Sequence, residues 1–374
     1  MKFTCDKAAL NEAINIVQKA VAVKSTLAVL EGILLTVRDG KVTLTGNDLE
    51  IGIECVISAD IVSEGKVVLN SNLFGNAVRK LTADTISVEC ANNLITIKSG
   101  NSEIRLNGIC GDEFPEIPHF DTDYDVVIPQ RDFKSLIRHT IYAVGTNEAK
   151  LILTGCLFEA SGSIVNMVAV DSFRLALKKI ETEGESVRGF LGDVSFVIPS
   201  KTLKEINGII SESDDNIIIR CSQKNIRFEF DNVIFTSRLL EGDFIDYKKI
   251  IPQDGKTRVK ADLKSITEAV DRASVIITSE VNKSPLCLFV SNGMIKITCE
   301  TSSGKVEEIV PVEMSGDDIE IGFNNKYLLE AFKNAEGEQV YLDFTGPVNP
   351  CLITPCESDS FKFIVLPVRL RAED

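Results

Sequence analysis

The order of apolar and polar positions along the chain writes one unit three times. Each copy opens with apolar residues at helical spacing behind an aspartate: Leu10, Ala13, Ile14 and Val17 after Asp6, Leu136, Ile137 and Ile141 after Asp132, and Ile266 after Asp262. The aspartates are 126 and 130 residues apart. A second helix is predicted later in each copy, in VVLNSNLFGNAVRKL (67–81), FVIPSKTLKEINGII (196–210) and IGFNNKYLLEAFKNA (321–335), with Asn or Ser where caps are wanted. Leu73, Leu203 and Leu328 mark it, at separations of 130 and 125. Between the helices the chain reads as short strands. GILLTVRDGKVTLTGNDLEIGIEC is split by Asp39-Gly40 and LFVSNGMIKITCE by Asn292-Gly293, both strong hairpin signals. CLFEASGSIVNMVAVD is the middle version, and ISVECANNLITIKSG matches IIIRCSQKNIRFEFD at Ile86 and Ile217, 131 residues apart.

A period near 130 is too long for a solenoid unit and has the length of a whole domain. GDEFPEIP (111–118) and EGDFIDYKKIIP (241–252), whose Phe114 and Phe244 lie 130 residues apart, fall where one unit ends and the next begins. The predicted fold is α+β: three tandem copies, each of two helices plus antiparallel sheets, over residues 1–124, 125–252 and 253–374.

Composition agrees with a globular chain of several domains: 374 residues, 44% hydrophobic and 25% charged. The polar start MKFTCDKAALNEAI predicts no signal peptide, and no apolar run approaches the roughly 18 residues of a membrane helix. Ten cysteines sit singly, without C-x-x-C spacing, which predicts reduced, buried thiols in a cytoplasmic protein. The net charge of −15 opposes long-range attraction to polyanions.

Catalytic patterns are missing. Two histidines, His119 and His139, supply neither a metal cluster nor a Ser-His-acid triad. DTDYDV (121–126) opens like a calcium loop but carries Val126 where Gly is required, and reads as a solvated linker. No phosphate-binding glycine loop is present. Asp214-Asp215 reads as a polar turn, and NKS at 282–284 as a sequon without use in the cytoplasm.

Several stretches in order resemble the bacterial sliding clamps, the β subunits of the replicative DNA polymerase: MKFT at the start, GNDLEIGI (46–53), GDEFPEIP, VDSFRLA (170–176), FTSRLLEGDFIDYKKIIP (235–252), IEIGFNNKYLLEAF (319–332) and LPVRL (366–370). The resemblance covers essentially the whole chain. It implies a non-catalytic processivity factor without cofactor or metal: a head-to-tail homodimer closing into a ring around duplex DNA. Its implied partners are double-stranded DNA, the polymerase catalytic subunit, the clamp loader, and other polymerases and mismatch-repair proteins, with no membrane. Twelve helices side by side at about 8–10 Å give a circle roughly 30–38 Å across the helix axes. Less a helix thickness of about 10 Å, the hole admits a duplex loosely. Such a ring holds DNA by topology, which reconciles an acidic protein with a polyanion.

The resemblance also implies sites. DNA contacts fall on Lys24, Arg79, Lys80, Lys134, Arg138, Asn147, Lys150 and Lys201. The stretches 70–83 and 130–143 each carry a net +2. A pocket for a short apolar peptide motif maps to Leu153, Val170, Phe173, Arg174, Leu175, Lys249, Ile250, Val365, Leu366, Pro367, Val368, Arg369 and Leu370, with Arg174 and Arg369 offered at its rim. The ring would close through Ile104 and Leu106 against Val275 and Ile276 of a second copy. Where many clamps have Thr-Asp-Gly-His-Arg-Leu this chain has Val170 to Leu175 with Phe173, and Ile245 replaces a Pro, so the pocket mouth should be more apolar. Arg371–Asp374 extends the tail. Two rival readings are a non-encircling duplicated binding scaffold, which would be monomeric, and an enzyme built from Asp, Lys and Ser side chains, which would need strongly perturbed titratable groups.

Overall fold

The computed structural model describes residues 1–118, 120, 122, 125–189, 192–277 and 284–370. His119, half of the DTDYDV stretch (121, 123 and 124), Asn282 and Lys283 of the sequon, and Arg371–Asp374 lie outside them. The described residues carry six α-helices: α1 (Lys7–Val17), α2 (Ser71–Lys80), α3 (Gln130–Arg138), α4 (Ser200–Asn207), α5 (Leu263–Ile277) and α6 (Asn325–Lys333). The element order repeats three times, as strand, helix, a run of strands, helix and three further long strands, with a two-residue strand added in the first and third copies.

The first helix of every copy begins in the same way. The backbone N–H of its first residue donates to a loop carbonyl just before the strand that follows the second helix: Lys7 to Asp84 at 2.7 Å, Gln130 to Asp215 at 2.8 Å and Leu263 to Glu338 at 2.8 Å. This satisfies one of the donors that a helix start leaves open. Side-chain caps then differ. Asp6 accepts from Ala9 N at 2.8 Å and Asp262 from Ser265 N at 2.7 Å. The middle copy departs from the sequence reading: α3 starts at Gln130, so Asp132 lies inside its first turn and is no counterpart of Asp6. The loop 211–215 closes this helix start instead. Arg131 N donates to Ser213 O at 3.0 Å, and buried Gln130 accepts from Ser211 N at 3.1 Å. The apolar face is accordingly Phe133, Leu136 and Ile137, all fully buried.

In α2 the landmark Leu73 is 60% exposed, and Phe74, four residues past the Asn70 cap, fills the core position that Leu203 and Leu328 fill in their copies. Ile86 and Ile217 are both fully buried, as their matching strands require. The hairpin signals hold. Asp39-Gly40 and Asn292-Gly293 have φ of 48°, 73° and 50°, 73°, the left-handed pair of a tight hairpin turn.

The chain divides into two compact units. The first comprises Met1–Arg131, Val187–Leu191 and Glu205–Leu239, and the second comprises Asp132–Ser186, Gly192–Lys204 and Leu240–Asp374. The first unit holds a five-stranded sheet that ends on the edge strand Ser102–Asn107, and a ten-stranded sheet. In the ten-stranded sheet the first copy joins the second where Ile51–Ile57 pairs antiparallel with Val233–Arg238. The second unit repeats the plan. Its nine-stranded sheet joins the second copy to the third where Arg174–Glu181 pairs with Phe361–Val365, and its five-stranded sheet ends on the edge strand Gly304–Pro311.

Candidate functional site

After its last long strand each copy turns back and pairs with the strand that precedes its second helix. Ile109 pairs with Val68, Leu240 bridges Val197, and Val368 pairs with Gly322. In the third copy this return is the segment Pro367–Val368, one expected wall of the peptide groove. Leu370 lies over Gly322, where an added Cβ would stand 2.6 Å from its Cδ2. The floor is a cluster that includes Val170, Leu175, Tyr247, Leu352 and Ile364, with Phe244 and Ile251 against it. Tyr247 closes the floor with a 2.6 Å hydrogen bond to Glu159.

The rim comes from a turn. Asp171 Oδ1 accepts from Phe173 N at 2.7 Å and Arg174 N at 3.0 Å, and Phe173 O accepts from Leu366 N at 2.8 Å. Phe173 is thereby lifted to 51% exposure, and Ile250, Leu366 and Val368 are also exposed. Exposed apolar side chains of this kind are what the expected peptide groove calls for. Of the remaining expected groove residues, Leu153, Val170 and Leu175 are buried, Pro367 and Leu370 half-buried, and Arg369 exposed. Val365 is buried at the residue paired with Arg174. Lys249 is exposed and held by Asp246 at 2.8 Å.

Arg174 departs from the sequence reading. Its guanidinium is not at the rim: it bonds Asp171 at 2.9 Å and Glu330, and lies between the rings of Tyr142 (5.4 Å) and Tyr327 (4.6 Å). Burial works against its charge, but bonding to Glu330 and Asp171 outweighs this and raises its pKa. Arg174 is a strut that fixes the turn. Tyr327, which sequence reasoning missed, stacks on Phe173 with centroids 5.5 Å apart. Its only sequence signal was a place in the NNKYLLEAF stretch. Glu336 is held at about 2 by its close contact with His139, which outweighs burial, and by Lys178. His139 Nε2 lies 2.9 Å away and off the ideal ring direction.

The residues expected to meet nucleic acid sit on exposed ground. In the first unit Lys24 is exposed, and Arg79 and Lys80 occupy the last turn of α2, with Arg79 bonded to Asn15 and Asn76 at 3.1 and 3.0 Å. In the second unit Arg138 is exposed and Lys134 half-buried on α3, and Lys201 is exposed in α4. Asn147 caps Ala149 N at 2.9 Å, and Lys150 stands at a backbone kink. Asn147 and Lys150 line a cavity of about 340 Å³ together with Leu153, Phe173, Arg174 and Tyr327. The second unit therefore brings part of the nucleic-acid set and part of the peptide set to one concavity. Ile104 and Leu106 are half-buried on the edge strand of the first unit, and Val275 and Ile276 end α5 in the second.

Among the described residues no group of His, Cys, Asp and Glu could hold a metal ion, and no helix is long and apolar enough to cross a membrane. All ten cysteines are free. Burial pushes the Cys55 thiol up to about 11, as it does Cys5 to about 12, so these thiols stay protonated at neutral pH.

Three family models cover the chain: the DNA polymerase III beta subunit N-terminal domain over residues 1–118, its central domain over 127–246 and its C-terminal domain over 248–369. A beta sliding clamp from Bacillus subtilis is 34% identical over 99% of this chain and 100% of its own length, and one from Halalkalibacterium halodurans is 32% identical over the same shares. The crystal structure of the Bacillus subtilis DNA polymerase sliding clamp superposes with a TM-score of 0.94, covering 99% of this chain and 100% of that one, at 34% identity. A putative DNA polymerase III beta subunit from Eubacterium rectale gives 0.93 at 30% identity, with the same coverage. With all three domain models in order and relatives matched from end to end, this chain belongs to the DNA polymerase III beta subunit family, the beta sliding clamps.

Proposed function

We propose that two copies of this chain close head to tail into a ring that slides on duplex DNA and tethers a replicative polymerase and other replication and repair proteins through the groove beside Phe173. The work is mechanical: no step of bond making belongs to this chain, and its place is the cytoplasm, where the DNA is. The observation that carries the reading is a pair of strand edges. Ser102–Asn107 follows α2 as Val233–Arg238 follows α4 and Phe361–Val365 follows α6. Gly304–Pro311 stands in its copy where Ile51–Ile57 and Arg174–Glu181 stand in theirs. Both internal junctions pair one strand of each kind, and the two that remain are sheet edges. Exposed edges are templates for pairing with another chain.

The register follows from the first junction, where Phe235 pairs with Ile53. Ile104 stands two residues into its strand as Phe235 does, and Val306 two into its own as Ile53 does, so Ile104 faces Val306 of a second copy. This supports Ile104 and Leu106 as seam residues, with Val275 and Ile276 of the second copy beside them. The Phe173 groove suits a peptide with aliphatic and aromatic anchors, since such anchors dominate interfaces of this kind. The expected DNA contacts are few, so binding to linear duplex is weak and salt-sensitive.

Sedimentation of Ile104→Asp/Leu106→Asp tests the ring: monomers are expected, and an unchanged dimer overturns it. The non-encircling scaffold requires a wild-type monomer. Ring protein loaded on circular DNA is expected to survive high salt and to leave once the circle is cut. Equal retention on linear and circular DNA overturns topological holding.

A further inference from the structure

Leu73 and Val275 are large apolar side chains left 60% and 68% exposed by the fold of their own chain. The internal junctions show what their positions do. Val275 lies twelve residues beyond the first residue of α5, as Lys19 does for α1 and Tyr142 for α3. At the first junction Lys19 reaches the next copy's second helix, with Nζ 3.5 Å from Glu205. At the second junction Tyr142 reaches Tyr327, the third residue of α6, through the Arg174 guanidinium that lies against both rings. Leu73, three residues past the Asn70 cap, is the counterpart of Tyr327 in the first copy.

The mediator changes at the open edges. Arg174 is the first residue of its strand, and the first residue of the corresponding edge strand is Gly304. A glycine there puts no side chain between the two helices. Val275 is carried beside this edge because α5 is fastened to it, with Arg272 bonding Glu308 at 3.0 and 2.7 Å.

We propose that Leu73 of one copy packs directly on Val275 of the other across each seam, an apolar clasp in the space that Gly304 leaves. The occupant of this exposed helix surface is a second copy of the chain, and the clasp continues the strand pairing of Ile104 with Val306. It rests on the ring reading and adds to it a residue that pairing of strands does not require. Burying these side chains fully is worth enough for roughly a tenfold effect per seam. Dissociation breaks two seams, so the expected rise in the dimer dissociation constant is about hundredfold.

The test is a double-mutant cycle on the full chain by analytical ultracentrifugation, with Leu73→Ala, Val275→Ala and the pair, and Ile104→Asp as a control. Each single substitution is expected to weaken the dimer by about hundredfold, and the pair by little more than either alone. Both positions are exposed in the isolated chain, so the melting temperature of the monomer should hold. Additive or negligible effects, with Ile104→Asp still monomeric, overturn the clasp and leave the ring standing. A dimer that survives Ile104→Asp overturns the ring itself. As a second readout, Leu73→Cys mixed with Val275→Cys should give, on oxidation, a Cys-linked peptide pair identified by mass spectrometry. Its absence in a protein that still dimerises also overturns the clasp.

Discussion

The two internal junctions share a backbone and differ in what they offer. At the first, Asp48 Oδ1 accepts from Glu50 N at 3.0 Å and Ile51 N at 2.7 Å, and Glu50 O accepts from Arg238 N at 3.3 Å. At the second, Asp171, Phe173, Arg174 and Leu366 make the same three bonds. Yet Phe173 and Leu366 at the second junction answer to Glu50 and Arg238 at the first, and Leu175 to Gly52. Ile117, from the GDEFPEIP stretch, drops onto Gly52, where an added Cβ would meet its Cδ1 at 2.7 Å. What remains is a cavity of about 140 Å³ rimmed by Glu50, Glu116 and Arg238. One turn thus carries the charged pair Glu50 and Arg238 in one place and the exposed apolar pair Phe173 and Leu366 in another. Groove formation is decided by four or five side chains on a shared scaffold.

Deleting the chain from Leu366 onward should have the largest effect on this difference. It removes the return strand and its anchors, at roughly 1–2 kcal/mol each, and a peptide carrying Gln, Leu and Phe-type anchors should bind at least tenfold more weakly. The ring helices are untouched, so the truncated chain should still dimerise. Fluorescence titration with such a peptide, beside sedimentation, checks both outcomes. Next in size is Phe173→Glu with Leu366→Arg, which writes the first junction's rim onto the second. Binding should again fall about tenfold or more with little change in melting temperature, because both side chains are exposed.

Ile117→Ala asks the reverse question. Ile117 is 7% exposed, and its loss should cost on the order of 2 kcal/mol in thermal denaturation. The emptied joint should gain no affinity for the apolar peptide, since its rim stays charged. The smallest effect belongs to Glu336. Its folded pKa of about 2 lies below its ordinary 4.5, so the stabilisation is present above pH 4.5 and lost as pH falls toward 2. Glu336→Gln should flatten the melting temperature between pH 6 and pH 3 relative to wild type.

The repeat and its hairpins could be read from sequence because period-2 runs and Asp-Gly or Asn-Gly pairs act locally. Two readings slipped by a turn or a residue for a physical reason. At α3 the first backbone donors are satisfied by loop carbonyls at 213 and 215, so no aspartate is needed to mark the start, and Asp132 misleads. At α2 a leucine and a phenylalanine stand side by side, and only packing says that Phe74 goes in and Leu73 out. The expectation of a groove at Phe173, Ile250, Leu366 and Val368, all exposed in the fold, came from the family resemblance. The commitment of Arg174 did not, because Tyr142, Glu330 and Tyr327 reach it from distant parts of the chain.

The returning segment has one more consequence. In the first two copies the chain continues past its return into the next copy, and both ends of the segment are tied down. In the third copy, Pro367–Val368 is held by a pairing of two residues, with Phe323 and Gly322, and by Leu370 over Gly322. A pairing this short opens at a small fraction of the global unfolding free energy. Its amide protons should exchange with solvent far faster than those of the Phe361–Val365 strand before it. A bound peptide that spans groove and tail would slow that exchange, so occupancy of the groove can be followed at Val368 without a label on any partner.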